Sequence, residues 1–442
     1  MTPIGRRAFA SLAVLAVPFH AASSAARGRT PSGGRIALRV PWPIASLDPH
    51  RIDDAAAAIF GDALFDTLYT TNVDGQVVPS LAESDPEPDG PNLRVKLRTG
   101  LRTARDRPFL TKDAAWSVAR ARAAGAHGWL ADIPVPRDDG RALVFATRDP
   151  ARLVRALASP LVAMVPIGFN PETPDGTGPF RHATREGALV LAKNRLAARG
   201  PAFLDEVLVR AAPNVSASLL AFESGTDDIG WFERGLHEPR AGSRGFDFGA
   251  VGWATLFTGR DAADWDGPGI AQRLCDGIPF ARVSDLHLGA AWTPDAVQGW
   301  GGPPAQLLVR EDSPWMVALA SAVAATITRP SHEVTVKGVS ASELASRRAS
   351  RMYGLALDVV RAAFPGGLGA MVALATADSS ARAQEIVQHP PRLGDVSART
   401  LTRTLRCGVV GDIRVVGGRM PDLALASGPT GLDLGASYRT RK

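Results

Sequence analysis

The chain has 442 residues and a formal net charge of +6, and it is 45% hydrophobic and 21% charged. This composition is ordinary for a globular protein with a sizeable core, and the length suggests roughly two or three domains. Only five lysines are present, so arginine carries nearly all of the positive charge. Because the arginines are interleaved with acidic residues, the sequence does not favour a nucleic-acid surface.

The N-terminus has the pattern of a secretory signal, which we assign to residues 1–26. Arg6 and Arg7 precede an apolar run, Ala8 to Phe19, and small residues follow at 24–26. The run is shorter than the ~20 residues that span a bilayer. The arginine pair resembles a twin-arginine signal, although a plain secretory signal can also carry such a pair. No cysteine lies at the cleavage region, so we expect a periplasmic or secreted protein without a lipid anchor.

Strand and helix patterns alternate along the rest of the chain, which predicts an α/β protein with partly parallel sheets. The predicted strands are Arg35–Val40, Leu93–Arg98, Ala142–Phe145, Ala188–Leu191, Val207–Val209, Gln306–Val309 and Val334–Val336. Caps are predicted at Asp53 or Asp54 for a helix that ends near Tyr69, and at Thr111 for a second helix. Further helices are predicted to start at Pro150, to be led by Ser216 or Ser218 and end before Gly225, and to start at Trp315. Gly75 is predicted to supply the positive φ of a turn.

The stretch SLDPHRIDD, residues 46–54, could be either a metal or acid–base site or the start of a helix. The eight histidines of the chain are dispersed, and no two have metal-ligand spacing. An aspartate before an alanine-rich run is typical of an N-cap, because its carboxylate accepts from free amides of the first turn. We therefore favour a turn at Asp48-Pro49 and a helix cap at Asp53 or Asp54.

The sequence lacks the common catalytic motifs, namely HExxH, the P-loop, GxGxxG and GxSxG. We therefore predict that the protein is not an enzyme and that it binds neither a cofactor nor a metal ion. Cys275 and Cys407 do not form a CxxC pair, which argues against zinc. They are predicted to be either one disulfide or two small buried side chains.

Several motif blocks follow one another in order over about two hundred residues. They are SLDPHRID (46–53), LFDTLYTTNVDGQVVPSLAE (64–83), LRVKLRTGLRT (93–103), PFLTKDAAWSVARA (108–121), GTGPF (176–180), LVLAKN (189–194) and LDEVLVRAAPNVSASLLAFESGTDDIG (204–230). A weaker block comprises residues 307–327 and 346–360. Together they resemble the extracellular solute-binding proteins of ABC transporters, family 5, which include the dipeptide- and oligopeptide-binding proteins.

The resemblance implies an α/β, two-lobed periplasmic-binding-protein fold (type II, Venus-flytrap) with an extra N-terminal subdomain. It places the base lobe in residues 33–50, 172–250 and about 396–442, the subdomain in 51–171 and the distal lobe in 251–395. A cleft between the lobes would close on the ligand by a hinge motion. SLDPH would then mark the crossing from the first strand to the first helix, with residues 41–46 at the cleft edge.

The function implied by the resemblance is that of a periplasmic substrate-binding protein of an ABC importer. Its ligand would be a small solute, by family default a peptide or a peptide-like molecule. Its protein partner would be an ABC permease in the inner membrane, and the protein would be a monomer that binds no nucleic acid. An alternative is a descendant that retains the fold, imports nothing and acts through a protein partner; a hydrolase on the same scaffold is a third, weaker reading.

The chain departs from the peptide-binding pattern in the distal lobe. Within residues 352–367, Val360 or a neighbour replaces the family's Trp, and alanine occupies the position of the acid that pairs with a peptide ammonium group. The segment 252–279 also differs from the family's central helix. These differences motivate the alternative without solute uptake.

Four residues are candidate ligand contacts. Trp42 and Ala45 lie at the first crossing, Trp253 lies near the hinge, and Asp358 lies in the distal lobe. The tryptophans could pack against a ligand, but they could equally be core or cleft wall. Asp358 could pair with an ammonium group of a ligand. Alternatively, it could be a solvated carboxylate on the protein surface.

Overall fold

The computed structural model describes residues 30–72, 74–231, 241–279, 288–289, 299–391, 398–428 and 431–440. The fold below is that of the unit Pro31–Lys442. The predicted signal, residues 1–26, lies outside the described residues.

The secondary structure alternates as the sequence predicts. The strands are β1 Arg35–Val40, β2 Tyr69–Thr71, β3 Val77–Pro79, β4 Glu87–Asp89, β5 Asn92–Lys96, β6 Arg137–Asp138, β7 Ala142–Phe145, β8 Phe180–Arg185, β9 Ala188–Lys193, β10 Glu206–Ala211, β11 Ile229–Trp231, β12 Arg244–Thr258, β13 Leu288–Gly289, β14 Ala305–Arg310, β15 Val334–Val339, β16 Leu355–Arg361, β17 Cys407–Arg419, β18 Leu423–Gly428 and β19 Gly431–Arg439. The helices are α1 Ala55–Leu64, α2 Thr111–Ala123, α3 Pro150–Leu157, α4 Val215–Glu223, α5 Ile270–Asp276, α6 Pro314–Ile327, α7 Ala341–Ser350, α8 Gly367–Asp378, α9 Ser380–Gln388 and α10 Ala398–Thr402, with 3-10 turns at Pro160–Val162 and Arg260–Trp265.

A large mixed sheet organises the fold. Its strand order is β15-β14-β16-β12-β17-β11-β1-β10-β9-β8, and β13 pairs with β17. β1 runs parallel to β10 and β11, and β14 runs parallel to β15 and β16, whereas the other pairs are antiparallel. The partly parallel α/β sheet predicted from the sequence is therefore confirmed.

The two longest strands, β12 and β17, join the two halves of this sheet. β12 pairs with β16 on one side and with β17 on the other. Its register with β17 shifts between Asp247 and Ala250, again before Gly252, and once more between Ala254 and Thr255. Such irregularities bend a strand and increase its twist. The bend lies beside one of the cavities described below.

A second, smaller sheet with the order β4-β5-β7-β6 is antiparallel throughout. Leu93 and Val95 of β5 and Leu143 and Phe145 of β7 are buried in the same hydrophobic cluster as residues of α2 and α3. This unit lies within the segment 51–171 that the resemblance assigns to an extra subdomain. The exact residue boundaries of the lobes stay a prediction.

Helix α1 ends at Leu64, and the predicted end near Tyr69 is wrong because Tyr69 begins β2. Phe65 is already extended, with φ −128° and ψ 141°. The backbone N–H of Gly178 donates to the Leu64 carbonyl at 3.0 Å. A Cβ on Gly178 would lie 2.5 Å from the Leu64 carbonyl carbon. A segment distant in sequence thus crosses the end of the helix and occupies the space of a further turn.

Two predicted helix caps are also wrong by a few residues. Leu110, rather than Thr111, is the N-cap of α2, and its N–H donates to the Asp113 carboxylate at 3.0 Å. Asn214, which precedes both predicted serines, caps α4 by accepting from Ala217 N at 2.8 Å. An asparagine at this spacing satisfies a free amide of the first turn.

Other local predictions are confirmed. Asp54 caps α1, Pro150 begins α3, and Gly75 has φ +79°. Gly225 also has φ +79° and follows Ser224, which is the C-cap of α4. Within the ranges that the structure describes, no helix combines the length and the apolar composition needed to cross a membrane.

Candidate functional site

The stretch SLDPHRIDD is held by a network of local and distant hydrogen bonds. Asp54 caps α1 with one carboxylate oxygen, which accepts from Ala57 N at 2.8 Å, and its other oxygen accepts from Asp48 N at 3.0 Å. The Asp48 carboxylate in turn accepts from both terminal nitrogens of Arg120, at 2.8 and 2.6 Å. The predicted cap and turn are confirmed, and the network ties the start of α1 to α2.

His50 completes this network as a neutral side chain. Its Nδ1 lies 2.8 Å from Arg120 Nη1, so it accepts there, and its Nε2 donates to the Ala163 carbonyl at 2.7 Å. Burial is the main cause that lowers the pKa of His50 to about 4. No group of three or more His, Cys, Asp or Glu residues that could hold a metal ion is found in the described part of the chain.

Three of the four predicted ligand contacts meet in one cavity of about 150 Å³, which we call the polar cavity. Trp42 and Ala45 reach it from the crossing after β1, and Asp358 reaches it from β16. Its charged lining residues are Arg51, Asp53, Asp54, Arg310, Asp312 and Asp358.

The basic side chains of the polar cavity already have carboxylate partners. Arg51 binds Asp53 through two hydrogen bonds of 2.8 and 2.6 Å. Arg310 binds Asp312 in the same way, at 3.0 and 2.7 Å. Both arginines of the lining are therefore neutralised by aspartates of the same lining.

Asp358 is a buried ion-pair partner, and the interpretation as a surface carboxylate is wrong. It is only 1% exposed because every residue of β16 is buried. One oxygen accepts from Arg348 Nη1 at 2.8 Å, and the other accepts from Val359 N at 2.9 Å. Burial raises the pKa of Asp358, although Arg348 acts in the opposite direction. The cation that this carboxylate binds is thus already supplied by the protein.

Trp42 is largely a core residue. It is 2% exposed and makes edge-to-face contacts with Trp231 and Trp315, with ring centroids 6.1 and 5.4 Å apart. Its Nε1 is buried and has no hydrogen-bond partner among the described residues. Ala45, by contrast, is exposed beside the same cavity.

Trp253, the fourth predicted contact, lies in a different and larger cavity of about 320 Å³, which we call the apolar cavity. The cavity lies along the bent part of β12 and the segment after β16. It is lined by Ala58, Pro160, Phe248, Ala250, Val251, Trp253, Arg361, Ala362, Phe364, Pro365, Gly366, Gly367, Ala370 and Gly431. Within the described part of the chain, Arg361 is the one charged residue in this lining.

Arg361 is 3% exposed, and its hydrogen-bonding capacity is incompletely used. Its Nη1 donates to the Pro49 carbonyl at 3.2 Å, while its Nε has no acceptor among the described residues. Burial lowers the pKa of its guanidinium, and the negative charges of Asp54, Asp62 and Asp48 oppose that effect. Our sequence reasoning missed Arg361, although it is the only basic residue in residues 352–367.

The two cysteines are free and buried in the structure. Cys275 lies on α5 and Cys407 begins β17. Of the two predicted alternatives, the structure thus contains the pair of small buried side chains.

The family model for bacterial extracellular solute-binding proteins, family 5 (Middle), matches residues 76–235. The resemblance to family 5 is confirmed. Curated proteins give no significant match to the chain.

Solved structures extend the likeness over nearly the whole chain. DppA from Helicobacter pylori, in complex with the peptide STSA, has a TM-score of 0.68 and 17% identity over 93% of this chain and 99% of its own. AppA from Bacillus subtilis, in complex with a nonapeptide, has a TM-score of 0.66 and 13% identity over 93% and 100%. AgaA from A. tumefaciens R10, in complex with agropinic acid, has a TM-score of 0.65 and 14% identity over 92% and 99%. The fold is the two-lobed type II periplasmic-binding-protein fold of family 5.

Proposed function

We propose that the chain is the substrate-binding protein of an ABC importer and captures a small solute in an interlobe cavity by hinge closure. The observation that carries this proposal is the apolar cavity of about 320 Å³ beside the bent strand β12. Its volume is at the lower end of the about 300–1,000 Å³ range of small-molecule pockets. The family likeness supplies the context in which such a cavity is a ligand site.

The finer parts of the proposal follow from the family. The mature protein would be a monomer in a periplasm, exported with the signal at residues 1–26, and it would hand its ligand to an inner-membrane permease. A peptide or peptide-like solute is the family default, in line with the peptides bound by DppA and AppA. We infer that the chain binds its solute without transforming it. The lobe boundaries given above belong to the same proposal.

Of the four predicted contacts, we propose Trp253 as a direct ligand contact because it lines the apolar cavity. Trp42, Ala45 and Asp358 would contact a ligand only if one enters the polar cavity. The alternative, a descendant that imports nothing, is favoured by one observation: the polar cavity is small and its basic side chains already have carboxylate partners.

Native mass spectrometry of the mature protein, purified from a periplasm without denaturation, tests the proposal. We expect a bound small molecule that leaves on collisional activation, and small-angle scattering should show a more compact protein with the ligand than without it. A protein that is purified without a bound ligand, and that binds nothing from a peptide pool or a periplasmic extract, would contradict solute capture and favour the alternative.

A further inference from the structure

The apolar cavity combines an apolar lining with one incompletely bonded cation. Burying a charge is costly unless it is paired and hydrogen-bonded. Arg361 is almost fully buried, and one carbonyl oxygen, that of Pro49, accepts from its Nη1. Its Nε is left without an acceptor by the described residues. An anionic ligand would satisfy this group.

We propose that the apolar cavity binds a small carboxylate with an apolar body, and that the guanidinium of Arg361 holds the carboxylate group. This inference rests on the proposed function and specifies its substrate class. A guanidinium presents paired N–H groups that match the two oxygens of a carboxylate. Nη1 already donates to the Pro49 carbonyl, so the ligand would pair with the remaining N–H groups of the guanidinium.

The rest of the lining selects the body of the ligand. Phe248, Trp253 and Phe364 supply aromatic surface, and Val251 and Ala370 add aliphatic surface. Phe248 and Phe364 are only partly buried, and Ala250 is exposed, so the cavity has a solvent-accessible side. Flat or branched apolar groups pack well against such walls.

The same lining disfavours a ligand ammonium group. Among the residues that the structure describes, the lining of the cavity includes no Asp or Glu, so an ammonium there would contact Arg361 and no carboxylate. Like charges in a poorly hydrated site repel strongly. The apolar cavity therefore has the electrostatic preference opposite to that of a pocket built for a peptide N-terminus.

The polar cavity does not compete for this ligand. Arg51 and Arg310 are each bound bidentately by a neighbouring aspartate, and Asp358 is bound by Arg348. An incoming anion would have to displace an existing carboxylate there. The incompletely bonded guanidinium of the apolar cavity offers the better site.

Matched pairs of acids and their neutral amides test the inference on the unaltered protein. The probes are 3-phenylpropionate with 3-phenylpropionamide and 4-methylpentanoate with its amide, titrated by calorimetry and followed by thermal shift. We expect at least one acid to bind, and its amide to bind at least tenfold more weakly, because only the acid supplies a negative charge. Amides that bind as tightly as their acids would overturn the inference, and so would a set in which no member binds.

Variants locate the site. Arg361→Gln should weaken acid binding at least tenfold and Arg361→Lys should retain part of it, while Arg185→Gln, a surface control, should leave it unchanged. Circular dichroism checks that each variant folds. The comparison of acids with amides uses the unaltered protein, so it does not depend on the folding of the variants. Loss of binding in Arg310→Gln but not in Arg361→Gln would place the ligand in the polar cavity and overturn the inference.

Failure of this inference is distinguishable from failure of the proposed function. A protein that releases a neutral or cationic solute in native mass spectrometry, yet binds no acid, retains the proposed function and refutes the carboxylate. A protein that captures no small molecule from any source refutes both.

Discussion

His50 illustrates how one residue couples the network at the start of α1 to solution pH. Burial, together with the positive charges of Arg120 and Arg361, disfavours the imidazolium, whereas the Ala163 carbonyl and Asp48 favour it. The pKa of His50 is thus about 4 in the folded protein, compared with about 6.5 in an unfolded chain. Between these values the unfolded chain binds more protons, so stability must fall as the pH falls.

We predict that the free energy of unfolding decreases as the pH is lowered from about 6.5 towards about 4, by roughly 3 kcal/mol from His50 alone. Urea unfolding at several pH values measures it. Carboxylates also titrate in this range, so the comparison is with His50→Gln, whose amide can keep both hydrogen bonds and should show a shallower pH dependence. His389→Gln, at an exposed site, is the control. Equal slopes in the wild type and His50→Gln would contradict the prediction.

The roles of single residues could be predicted from the sequence where those roles depend on neighbouring residues in the chain. The cap by Asp54 depends on an amide three residues later, and the turn at Gly75 depends on its own φ. Asp358 and Arg361 were not predictable in the same way, because their burial follows from the position of β16 between β12 and β14. Their partners, Arg348 and Pro49, are brought to them by the tertiary fold.

At the scale of elements, the end of α1 shows how a distant segment limits a helix. Apolar periodicity continues past Leu64 in the sequence, and this periodicity suggested a longer helix. The close approach of Gly178 to the Leu64 carbonyl prevents that, and no local pattern reveals it. Interior strands such as β1 and β7 were predicted well because each combines apolar, β-favouring residues with a clear stop.

This contact predicts opposite effects for two glycine-to-alanine substitutions. Gly178→Ala should destabilise the protein by about 1–3 kcal/mol, because a Cβ there would be 2.5 Å from backbone atoms that cannot easily move. Gly61→Ala, within α1, should stabilise it by about 0.5–1 kcal/mol, because alanine favours the helix and its Cβ would meet no atom within 4 Å. Urea unfolding measures both. A Gly178→Ala variant with an unchanged free energy of unfolding would contradict the assigned role of this contact.

At the scale of the whole molecule, the sequence could predict the architecture chiefly through the order of motifs that resemble those of family 5. The matched family segment is residues 76–235, and the structural likeness extends over more than nine-tenths of the chain. Spacing and periodicity alone predicted the class of fold. They could not predict where the cavities lie, because that depends on how side chains from distant segments pack together.

The buried cysteines provide a whole-molecule test of folding and redox state. Cys275 and Cys407 are free, and burial raises the pKa of both thiols, so neither should react while the protein is folded. We expect no alkylation by iodoacetamide in native buffer and two alkylations in guanidinium chloride without reductant, as counted by intact-mass spectrometry. Denatured protein that reacts only after reduction would mean that the two form a disulfide.

The central position of β17 has a consequence for how the chain acquires its structure. This strand lies between β11 and β12, and both of its neighbours precede it by more than a hundred residues. The two halves of the large sheet therefore cannot be joined before residues 407–419 have emerged from the ribosome. Pairings between segments so far apart give a high contact order, which is associated with slow folding. A strand that is synthesised after both of its neighbours thus determines when the large sheet becomes complete.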